Sequence, residues 1–306
     1  MMPALVLAAG LGTRLDPLTR LRAKPAVPLG DRSLLERILD GLQHEGVRDV
    51  VINLHHRPET ITRILGDGAA RGLRVRYSWE REILGSAGGP RRALPLLDAD
   101  TFLIVNGDTL CEVPLAPMLA AHERSSADVT LAVVRNPAPQ HYNGIRASGD
   151  GVVRAFVPKG PEAAGTWHFV GVQIADAGVF TSLPDGVPAE TVAGLYRAFV
   201  STEPGRVCVY PVDAAFVDVG TPRDYFEAAR RFPAFRPVPS SVTDSVVWPD
   251  AAVGPGVQLT RCVVACDVPE APEITDAVLV PAAVTRPGDP CRLAGSVAIF
   301  PFAGLP

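Results

Sequence analysis

The sequence predicts an α/β protein with a three-layer, mostly parallel sheet, because buried-strand patterns alternate with amphipathic-helix patterns. The first apolar run, residues 4–9 (ALVLAA), ends in glycine, which is typical of a strand buried on both faces. A second run, residues 101–106 (TFLIVN), stops at Gly107 and Asp108. Ligands bind beyond the carboxyl ends of strands in such sheets, so we expect the functional site there.

The remaining elements are predicted from apolar spacing and from turn residues. In residues 31–46, leucine and isoleucine recur at helical spacing, with Asp31 or Ser33 as the cap. Thr221, Pro222 and Asp224 form a capping-box-like start for a helix over 221–232. Further helices are predicted at 58–65, 88–97, 115–124 and 189–201, and further strands at 49–54, 73–78, 128–134, 152–158, 167–175, 206–212 and 214–220.

The composition changes after Phe232, where residues 233–242 (PAFRPVPSSV) indicate a linker. Apolar residues then recur about every six positions, as in the hexapeptide turns of a left-handed β-helix: Val247, Val253, Val257 or Leu259, and Val263. The repeat is short and degrades after Cys266. We therefore predict a main domain at 1–232 and a short β-helix-like segment at 233–306, which leans on the main domain or on another subunit of a homo-oligomer.

The charge balance excludes a broad basic surface. The 306 residues include 29 basic and 33 acidic side chains, so no general field attracts nucleic acid or an anionic membrane. The N-terminus has no basic leader region, and its apolar run is too short to span a membrane, so we expect a cytoplasmic protein. The five cysteines are scattered and odd in number, which indicates free thiols and not a disulfide framework. Cys262 and Cys266 lie four residues apart, but no second pair of ligands accompanies them to suggest a metal site.

The glycine-rich turn after the first strand favours phosphate binding. The dinucleotide fingerprint fails because Leu15 stands at the third glycine position, and no P-loop lysine follows. Backbone N–H groups of such a turn still bind anions, and the forked donors of Arg14 suit phosphate oxygens. Lys24 is followed by a proline that fixes the nearby backbone. The alternative is an ordinary strand–turn with surface basic residues.

Residues 7–25 (LAAGLGTRLDPLTRLRAKP), here called the signature segment, resemble the signature of sugar-1-phosphate nucleotidylyltransferases, L-A-A-G-x-G-x-R-x-x-P-L-T-x-x-x-x-K-P. The resemblance continues through residues 80–89, 103–108, 169–174 and 216–225. It implies the Rossmann-like nucleotide-diphospho-sugar transferase fold. It also implies an enzyme that joins a nucleoside triphosphate to a sugar 1-phosphate, releases pyrophosphate and uses Mg²⁺.

The same resemblance implies roles for individual residues. Arg14 would hold the leaving pyrophosphate, and Lys24 would neutralise the α-phosphate and the attacking phosphate. Asp108 and Asp218, each at a strand end, would be the Mg²⁺ ligands. The implied nucleotide-binding residues are Leu7, Ala8, Ala9, Gly10, Gly12, Thr13, Ser86, Gly88, Asn106 and Gly107. The implied sugar-phosphate-binding residues are Gly144, Lys159 and Gly171.

One departure leaves the sugar open. The family places a glutamate, which contacts sugar hydroxyls, before the lysine at position 159, and Pro158 stands there in this chain. His55 and His56 are adjacent on a predicted strand and point to opposite faces, so we expect a structural or substrate-lining role for them.

The loop at residues 84–90 (LGSAGGP) bears on the nucleotide. It differs from the glutamine-rich loop of thymidylyl enzymes. It favours GTP with mannose or heptose 1-phosphate, or alternatively UTP with an amino-sugar 1-phosphate. A phosphocholine-type acceptor fits the same scaffold. A non-catalytic, nucleotide-sugar-binding regulatory paralogue is a further alternative, although the presence of Arg14, Lys24, Asp108 and Asp218 speaks against it.

Overall fold

A computed structural model describes residues 2–232 and 238–306, so residues 233–237 of the predicted linker lie outside the described residues. The chain divides into two compact units. The first comprises Met1–Gly10, Ile38–Pro58 and Leu65–Phe216, and the second comprises Leu11–Arg37, Glu59–Ile64 and Val217–Pro306. The domain boundary predicted at residue 232 stays a prediction.

The six predicted helices are present in the predicted order, and the structure adds a short helix at Gly178–Thr181 that the sequence patterns did not predict. In the described residues the α-helices are α1 (Leu34–His44), α2 (Pro58–Leu65), α3 (Gly85–Leu97), α4 (Leu115–Ser125), α5 (Gly178–Thr181), α6 (Tyr196–Thr202) and α7 (Pro222–Ala229). A π-helical turn at Thr191–Leu195 precedes α6, so the helix predicted over 189–201 is divided. None of these described helices has the length and apolarity needed to cross a bilayer.

The strands follow the chain in the order β1 (Ala4–Leu7), β2 (Pro28–Leu29), β3 (Arg32–Ser33), β4 (Asp49–Leu54), β5 (Arg74–Trp79), β6 (Thr101–Asn106), β7 (Thr109–Cys111), β8 (Val129–Arg135), β9 (Gly144–Ala147), β10 (Val153–Val157), β11 (Trp167–Asp176), β12 (Val207–Pro211), β13 (Phe216–Asp218), β14 (Val242–Thr243), β15 (Val246–Val247), β16 (Leu259–Val264), β17 (Ile274–Pro281), β18 (Arg292–Ala294) and β19 (Val297–Pro301).

The large sheet of the first unit has the strand order β10-β9-β11-β6-β1-β4-β5, and β8 pairs with both β11 and β12. Strands β6, β1, β4 and β5 are parallel, which confirms the predicted α/β class. Strand β11 is antiparallel to both β6 and β8. Strands β9 and β10 are also antiparallel, and the short turn at residues 148–152 that joins them is possible only between antiparallel neighbours.

The core of the first unit is built from strand residues and from α3. Leu5, Val51, Phe102, Ile104 and Leu131 are fully buried in one cluster. Helix α3 packs against β1, β4 and β5. Apolar burial of this size is the main stabilising contribution to a domain, and here it fixes the strand ends that carry the predicted site.

Two capping boxes fix helix starts in the second unit. For α1, Glu36 N donates to Ser33 Oγ (3.2 Å) and Ser33 N donates to Glu36 Oε2 (2.7 Å), so Ser33 is the cap. Asp31 instead accepts from Arg37 Nη2 at 2.7 Å. For α7, the predicted box of Thr221 and Asp224 is confirmed. Each reciprocal pair satisfies N–H groups that the helix itself leaves unbonded.

The C-terminal strands form stacked parallel coils. Leu259 pairs in parallel with Val242 on one side and with Ile274 on the other, which gives coils of 17 and 15 residues. This stacking matches the predicted β-helix-like segment and extends past Cys266 to Leu279, because buried apolar residues there still pair with β16: Ile274, Ala277, Val278 and Leu279. Strands β19 and β18 then pair antiparallel and end the parallel stack.

These coils do not stand alone within the second unit. Trp248 Nε1 donates to the Tyr225 hydroxyl at 2.8 Å, and that hydroxyl donates to the Pro28 carbonyl at 2.6 Å. Tyr225 and Trp248 are both almost fully buried. The chain of hydrogen bonds therefore joins the coils, α7 and the segment that follows Lys24.

Candidate active site

The ends of β1 and β6 lie side by side in the first unit. Leu7 and Asn106 are partners in the parallel register, and Gly107 N donates to the Leu7 carbonyl at 2.9 Å. Asp108 follows directly, and its Oδ1 accepts from Thr109 Oγ1 at 3.2 Å. The predicted nucleotide-binding residues of the two strand ends are therefore neighbours.

Gly171 is positioned against Asn106. Its φ of +81° lies in the left-handed region, where the register of β11 shifts between Phe169 and Gln173. A Cβ atom on Gly171 would lie 2.9 Å from Asn106 Cβ. Only glycine fits both the conformation and the space, so the β-bulge brings backbone up to the strand end that carries Asn106.

A buried polar pair that the sequence analysis missed holds the end of β1. Asn53 Oδ1 accepts from Ala8 N at 2.6 Å, and Asn53 Nδ2 donates to Glu80 Oε1 at 2.7 Å. Glu80 Oε2 accepts from Leu84 N at 2.9 Å. Asn53 and Glu80 are nearly inaccessible to solvent, so their hydrogen bonds rigidly connect β1, β4 and the loop before α3. The sequence signal was an asparagine inside an apolar strand.

Ser86 and Gly88 both contact the segment at residues 187–191. Ser86 Oγ donates to Glu190 Oε2 at 2.5 Å and accepts from Thr191 N at 2.8 Å. A Cβ atom on Gly88 would lie 2.7 Å from the Val187 carbonyl oxygen. These contacts give Ser86 and Gly88 a packing role at the start of α3. Their predicted role at the nucleotide stays a prediction.

The predicted sugar-phosphate residues Gly144 and Lys159 both adjoin Asn143, Gly144 in sequence and Lys159 through a hydrogen bond. Lys159 N donates to Asn143 Oδ1 at 2.9 Å, and His168 Nδ1 lies 3.2 Å from the Asn143 carbonyl oxygen. Gly144 is packed so closely that a Cβ atom would lie 2.2 Å from Thr166 Oγ1. Asn143 thus fixes the backbone of Lys159, whose side chain is exposed.

An aromatic cluster adjoins Asn143. The Tyr142 and His168 rings pack in a tilted arrangement with centroids 4.4 Å apart, and Phe216 contacts both rings. Burial lowers the pKa of His168, and the neutral ring then donates from Nδ1 to the Asn143 carbonyl. The cluster borders a pocket of about 750 Å³ that Tyr142, Trp167 and Phe216 line. This volume is within the usual range for small-molecule sites.

The part of the signature segment that belongs to the second unit, residues 11–25, is tightly folded. Gly12 has φ +62° and begins the 3₁₀ turn Thr13–Leu15. Thr19 Oγ1 donates to the Gly12 carbonyl at 3.2 Å. Lys24 begins a further 3₁₀ turn and is only 7% exposed. The structure brings Gly12 and Lys24 together, since a Cβ atom on Gly12 would lie 3.1 Å from Lys24 Cβ.

Arg14 and Asp218 meet at Gly220. Arg14 Nη1 lies 3.5 Å, and Asp218 Oδ2 lies 3.6 Å, from the position that a Cβ atom on Gly220 would take. Asp224 Oδ2 lies 2.9 Å from the same point, and it also accepts from Thr221 N. The missing side chain of Gly220 leaves room for a guanidinium and two carboxylates.

The predicted site residues belong to both units. The first unit contains Leu7, Ala8, Ala9, Gly10, Ser86, Gly88, Asn106, Gly107, Asp108, Gly144, Lys159 and Gly171, and the second contains Gly12, Thr13, Arg14, Lys24 and Asp218. Residues 2–232 and 238–306 include no cluster of three or more His, Cys, Asp and Glu side chains that could hold a metal ion. Single carboxylates still suit Mg²⁺, which commonly takes one or two of them together with substrate phosphates.

The five cysteines are free thiols in the described parts of the chain. Cys262 is buried among the coils. Burial raises the pKa of Cys266 to about 12, with the nearby Asp267 charge as a smaller cause. Burial also raises the pKa of Cys262, so both thiols are protonated at neutral pH and are poor nucleophiles.

Comparison with known proteins identifies relatives along most of the chain. A family model described as nucleotidyl transferase matches residues 3–234. Mannose-1-phosphate guanylyltransferase of Mycobacterium tuberculosis is 30% identical over 84% of this chain and 72% of that protein. UTP–glucose-1-phosphate uridylyltransferase of Synechocystis is 29% identical over 84% of this chain and 68% of that protein. The mannose-1-phosphate guanyltransferase of Yarrowia lipolytica is 28% identical, and the chain spans 62% of its length.

Solved structures share the fold. HddC from Yersinia pseudotuberculosis complexed with GMP-PN aligns with a TM-score of 0.65 and 23% identity, covering 76% of this chain and 99% of that chain. A second structure of HddC aligns with a TM-score of 0.66 and 24% identity over the same shares of the two chains. The fold class predicted from the sequence is therefore confirmed by independent structures.

Proposed function

Because the chain belongs to the nucleotidyl transferase family, whose relatives here act on sugar 1-phosphates, we propose that it transfers GMP from GTP to mannose 1-phosphate or a heptose 1-phosphate and releases pyrophosphate. The observation that carries this proposal is the folded signature segment. Gly12 holds a left-handed turn against Lys24, and Arg14 faces Asp218 across Gly220. Cations and backbone donors so arranged suit a triphosphate.

The reaction forms one bond and breaks one. A phosphate oxygen of the sugar 1-phosphate attacks the α-phosphorus, and the bond from that phosphorus to the oxygen bridging to the β-phosphorus breaks, so pyrophosphate leaves with the electron pair. The protein's part is positioning and charge neutralisation. Backbone N–H groups near Gly12 and Thr13 bind the triphosphate, Arg14 binds the leaving pyrophosphate, and Lys24 neutralises the α-phosphate and the attacking oxygen.

Asp108, Asp218 and Lys159 have the remaining proposed roles. Asp108 and Asp218 would hold Mg²⁺, which when bound supplies neutralisation of the phosphate charge. Asn106 and Gly107 approach the nucleotide at the end of β6, and Gly171 supports Asn106. Lys159, held at its backbone by Asn143, binds the phosphate of the sugar.

UTP with an amino-sugar or glucose-type 1-phosphate is the second candidate. The Synechocystis uridylyltransferase is nearly as similar to this chain as the mycobacterial guanylyltransferase, with 29% against 30% identity. Pro158 in place of the family's glutamate also removes a sugar contact that the common pattern supplies. The cytoplasmic location and the homo-oligomer stay predictions.

The test is pyrophosphate release with Mg²⁺, in which GTP, UTP, dTTP and CTP are each crossed with a panel of sugar 1-phosphates. We expect release that needs both substrates, is highest with GTP, and disappears in Asp108→Ala. Release without any sugar phosphate would indicate hydrolysis of the triphosphate to the nucleoside monophosphate and pyrophosphate instead. Silence across the panel, in a protein that still binds a nucleotide sugar, would favour the regulatory paralogue.

A further inference from the structure

Arg20 lies inside the signature segment, yet its guanidinium is bound by the C-terminal segment (residues 238–306 as described). Nη2 donates to Asp289 Oδ1 at 2.9 Å, Nη1 also bonds to the Asp289 carboxylate, and Nη1 donates to the Val284 carbonyl at 3.2 Å. Nε donates to Asp16 Oδ1 at 2.8 Å, and Nη2 also bonds to Asp16. All five N–H donors of Arg20 therefore have an acceptor, and none is left for a phosphate.

The Asp289 carboxylate is also held in place by its own surroundings. Asp289 Oδ2 accepts from Arg286 N at 2.7 Å, which closes a turn around the carboxylate. The Phe300 ring lies 5.4 Å from the Arg20 guanidinium carbon. Arg20 is only 7% exposed, and the Asp289 side chain is 11% exposed. A bidentate pair at this burial has a fixed geometry, unlike a surface ion pair.

A second arginine of the signature segment makes a similar contact. Arg22 Nη2 donates to Asp250 Oδ2 at 2.7 Å, and the guanidinium lies 5.0 Å from the Trp248 ring centroid. Trp248 in turn bonds to Tyr225. Residues 20 and 22 are thus both held by the C-terminal segment, at positions where the family signature leaves the residue type open.

These two anchors stand between the proposed triphosphate-binding residues. Thr19, next to Arg20, donates to the Gly12 carbonyl and packs its methyl group on Gly12. Lys24 follows Arg22 by two residues. A shift of Arg20 would therefore move Thr19 and the Gly12 turn, and a shift of Arg22 would move Lys24.

We propose that the C-terminal segment positions the signature segment for catalysis, through Asp289 on Arg20 and Asp250 on Arg22. Asp289 and Asp250 are positioning residues, because they contact Arg20 and Arg22 and no proposed substrate group. This inference rests on the proposed function. It gives the C-terminal segment a role inside one chain that does not depend on self-association.

The first test is Asp289→Asn, compared with the matched control Asp276→Asn. Asp276 also pairs with an arginine in two bonds, but its partner is Arg261 of the neighbouring coil, at 2.8 Å from Nε. Hydrogen–deuterium exchange of peptides covering residues 11–24 is the primary readout, because it needs no turnover. We expect at least tenfold faster exchange there in Asp289→Asn and no change in Asp276→Asn.

Kinetics supply the second readout. We expect kcat/KM for the triphosphate to fall at least tenfold in Asp289→Asn, while KM for the sugar phosphate stays within twofold. Asp289→Glu should recover part of the loss. Asp250→Asn removes the more exposed anchor and serves as a milder variant if Asp289→Asn fails to fold; it should give a smaller effect of the same kind.

The outcomes separate this inference from the proposed function. Unchanged exchange at residues 11–24 in both Asp289→Asn and Asp250→Asn would overturn the positioning role whatever the activity. Faster exchange in a protein whose wild type shows no transfer would support the positioning role and count against the proposed function alone.

Discussion

Gly12 and Lys24 are packed against each other so closely that a Cβ atom on Gly12 would lie 3.1 Å from Lys24 Cβ. The same atom would lie 2.8 Å from Thr19 Cγ2, and Thr19 is a buried β-branched residue with little freedom to move. The glycine therefore sets the distance between the proposed triphosphate turn and the buried lysine.

We expect Gly12→Ala to lower kcat/KM for the triphosphate by about 100-fold, because displacement of catalytic groups by about 1 Å has effects of that size. Gly66→Ala is the matched control, since Gly66 also has a positive φ (+55°) but has open space around it. Both variants should lose roughly 1–2 kcal/mol of stability from the left-handed conformation. Equal activity losses in the two variants would refute the packing argument.

Gly171→Ala tests the support of Asn106. A Cβ atom there would overlap Asn106, so we expect kcat to fall at least tenfold as the strand end shifts. Gly165→Ala is the matched control, because Gly165 also has a positive φ (+71°) but has no atom within 4 Å of the added Cβ position. This variant should lose stability without a comparable loss of kcat. Steady-state kinetics and thermal melts on the same preparations make the comparison. Normal turnover in Gly171→Ala would show that Asn106 is not needed in place.

Glu80→Gln tests the buried pair that holds β1. Both carboxylate oxygens of Glu80 accept hydrogen bonds, from Asn53 and from Leu84, so an amide must present a donor to one of them. We expect a loss of about 1–3 kcal/mol in urea unfolding, the usual penalty for a buried unpaired polar group. Glu82→Gln, in the same loop but exposed, should change stability by less than about 0.5 kcal/mol. Similar stabilities for the two variants would contradict the role of Glu80.

His168 should make stability depend on pH. Burial lowers its pKa below the ordinary value of 6.5, so between the two values the unfolded chain binds a proton that the folded chain does not. Stability should therefore fall as pH drops through about 6.5, and the fall should level off below the folded-state pKa. His168→Phe keeps the ring contacts with Tyr142 and Phe216 but cannot titrate. Urea midpoints from pH 7.5 to 5.0 should fall less in the variant, and parallel curves would contradict the prediction.

Local patterns were sufficient to predict the strand ends and caps. The apolar run ending in Asn106 and Asp108 predicted a buried strand with polar residues at its end, and the structure has that strand. The spacing of Thr221 and Asp224 predicted a capping box that the structure contains, because both partners lie within one helical turn. Features determined by neighbours in sequence are therefore the ones that the sequence analysis placed correctly.

Long-range pairings were beyond those patterns. Arg20 and Asp289 are separated by 269 positions, and nothing near either residue indicates the partner. The antiparallel direction of β11 likewise depends on which strands it joins. Helix α3 begins at Gly85, three residues before the predicted start at Gly88. At this earlier start the carboxylate of Glu190, which is distant in sequence, accepts a hydrogen bond from Ser86 N. Such partners are chosen by tertiary packing, which a single sequence does not display.

The most direct test of the proposed transfer follows the α-phosphorus. GTP labelled with ³²P at that position is incubated with mannose 1-phosphate and Mg²⁺, and the products are separated by chromatography. We predict that the label appears in a nucleotide sugar and not in pyrophosphate, and that Lys24→Ala abolishes its appearance. Label that appears only in GMP or GDP, with or without the sugar phosphate, would contradict nucleotidyl transfer to a sugar.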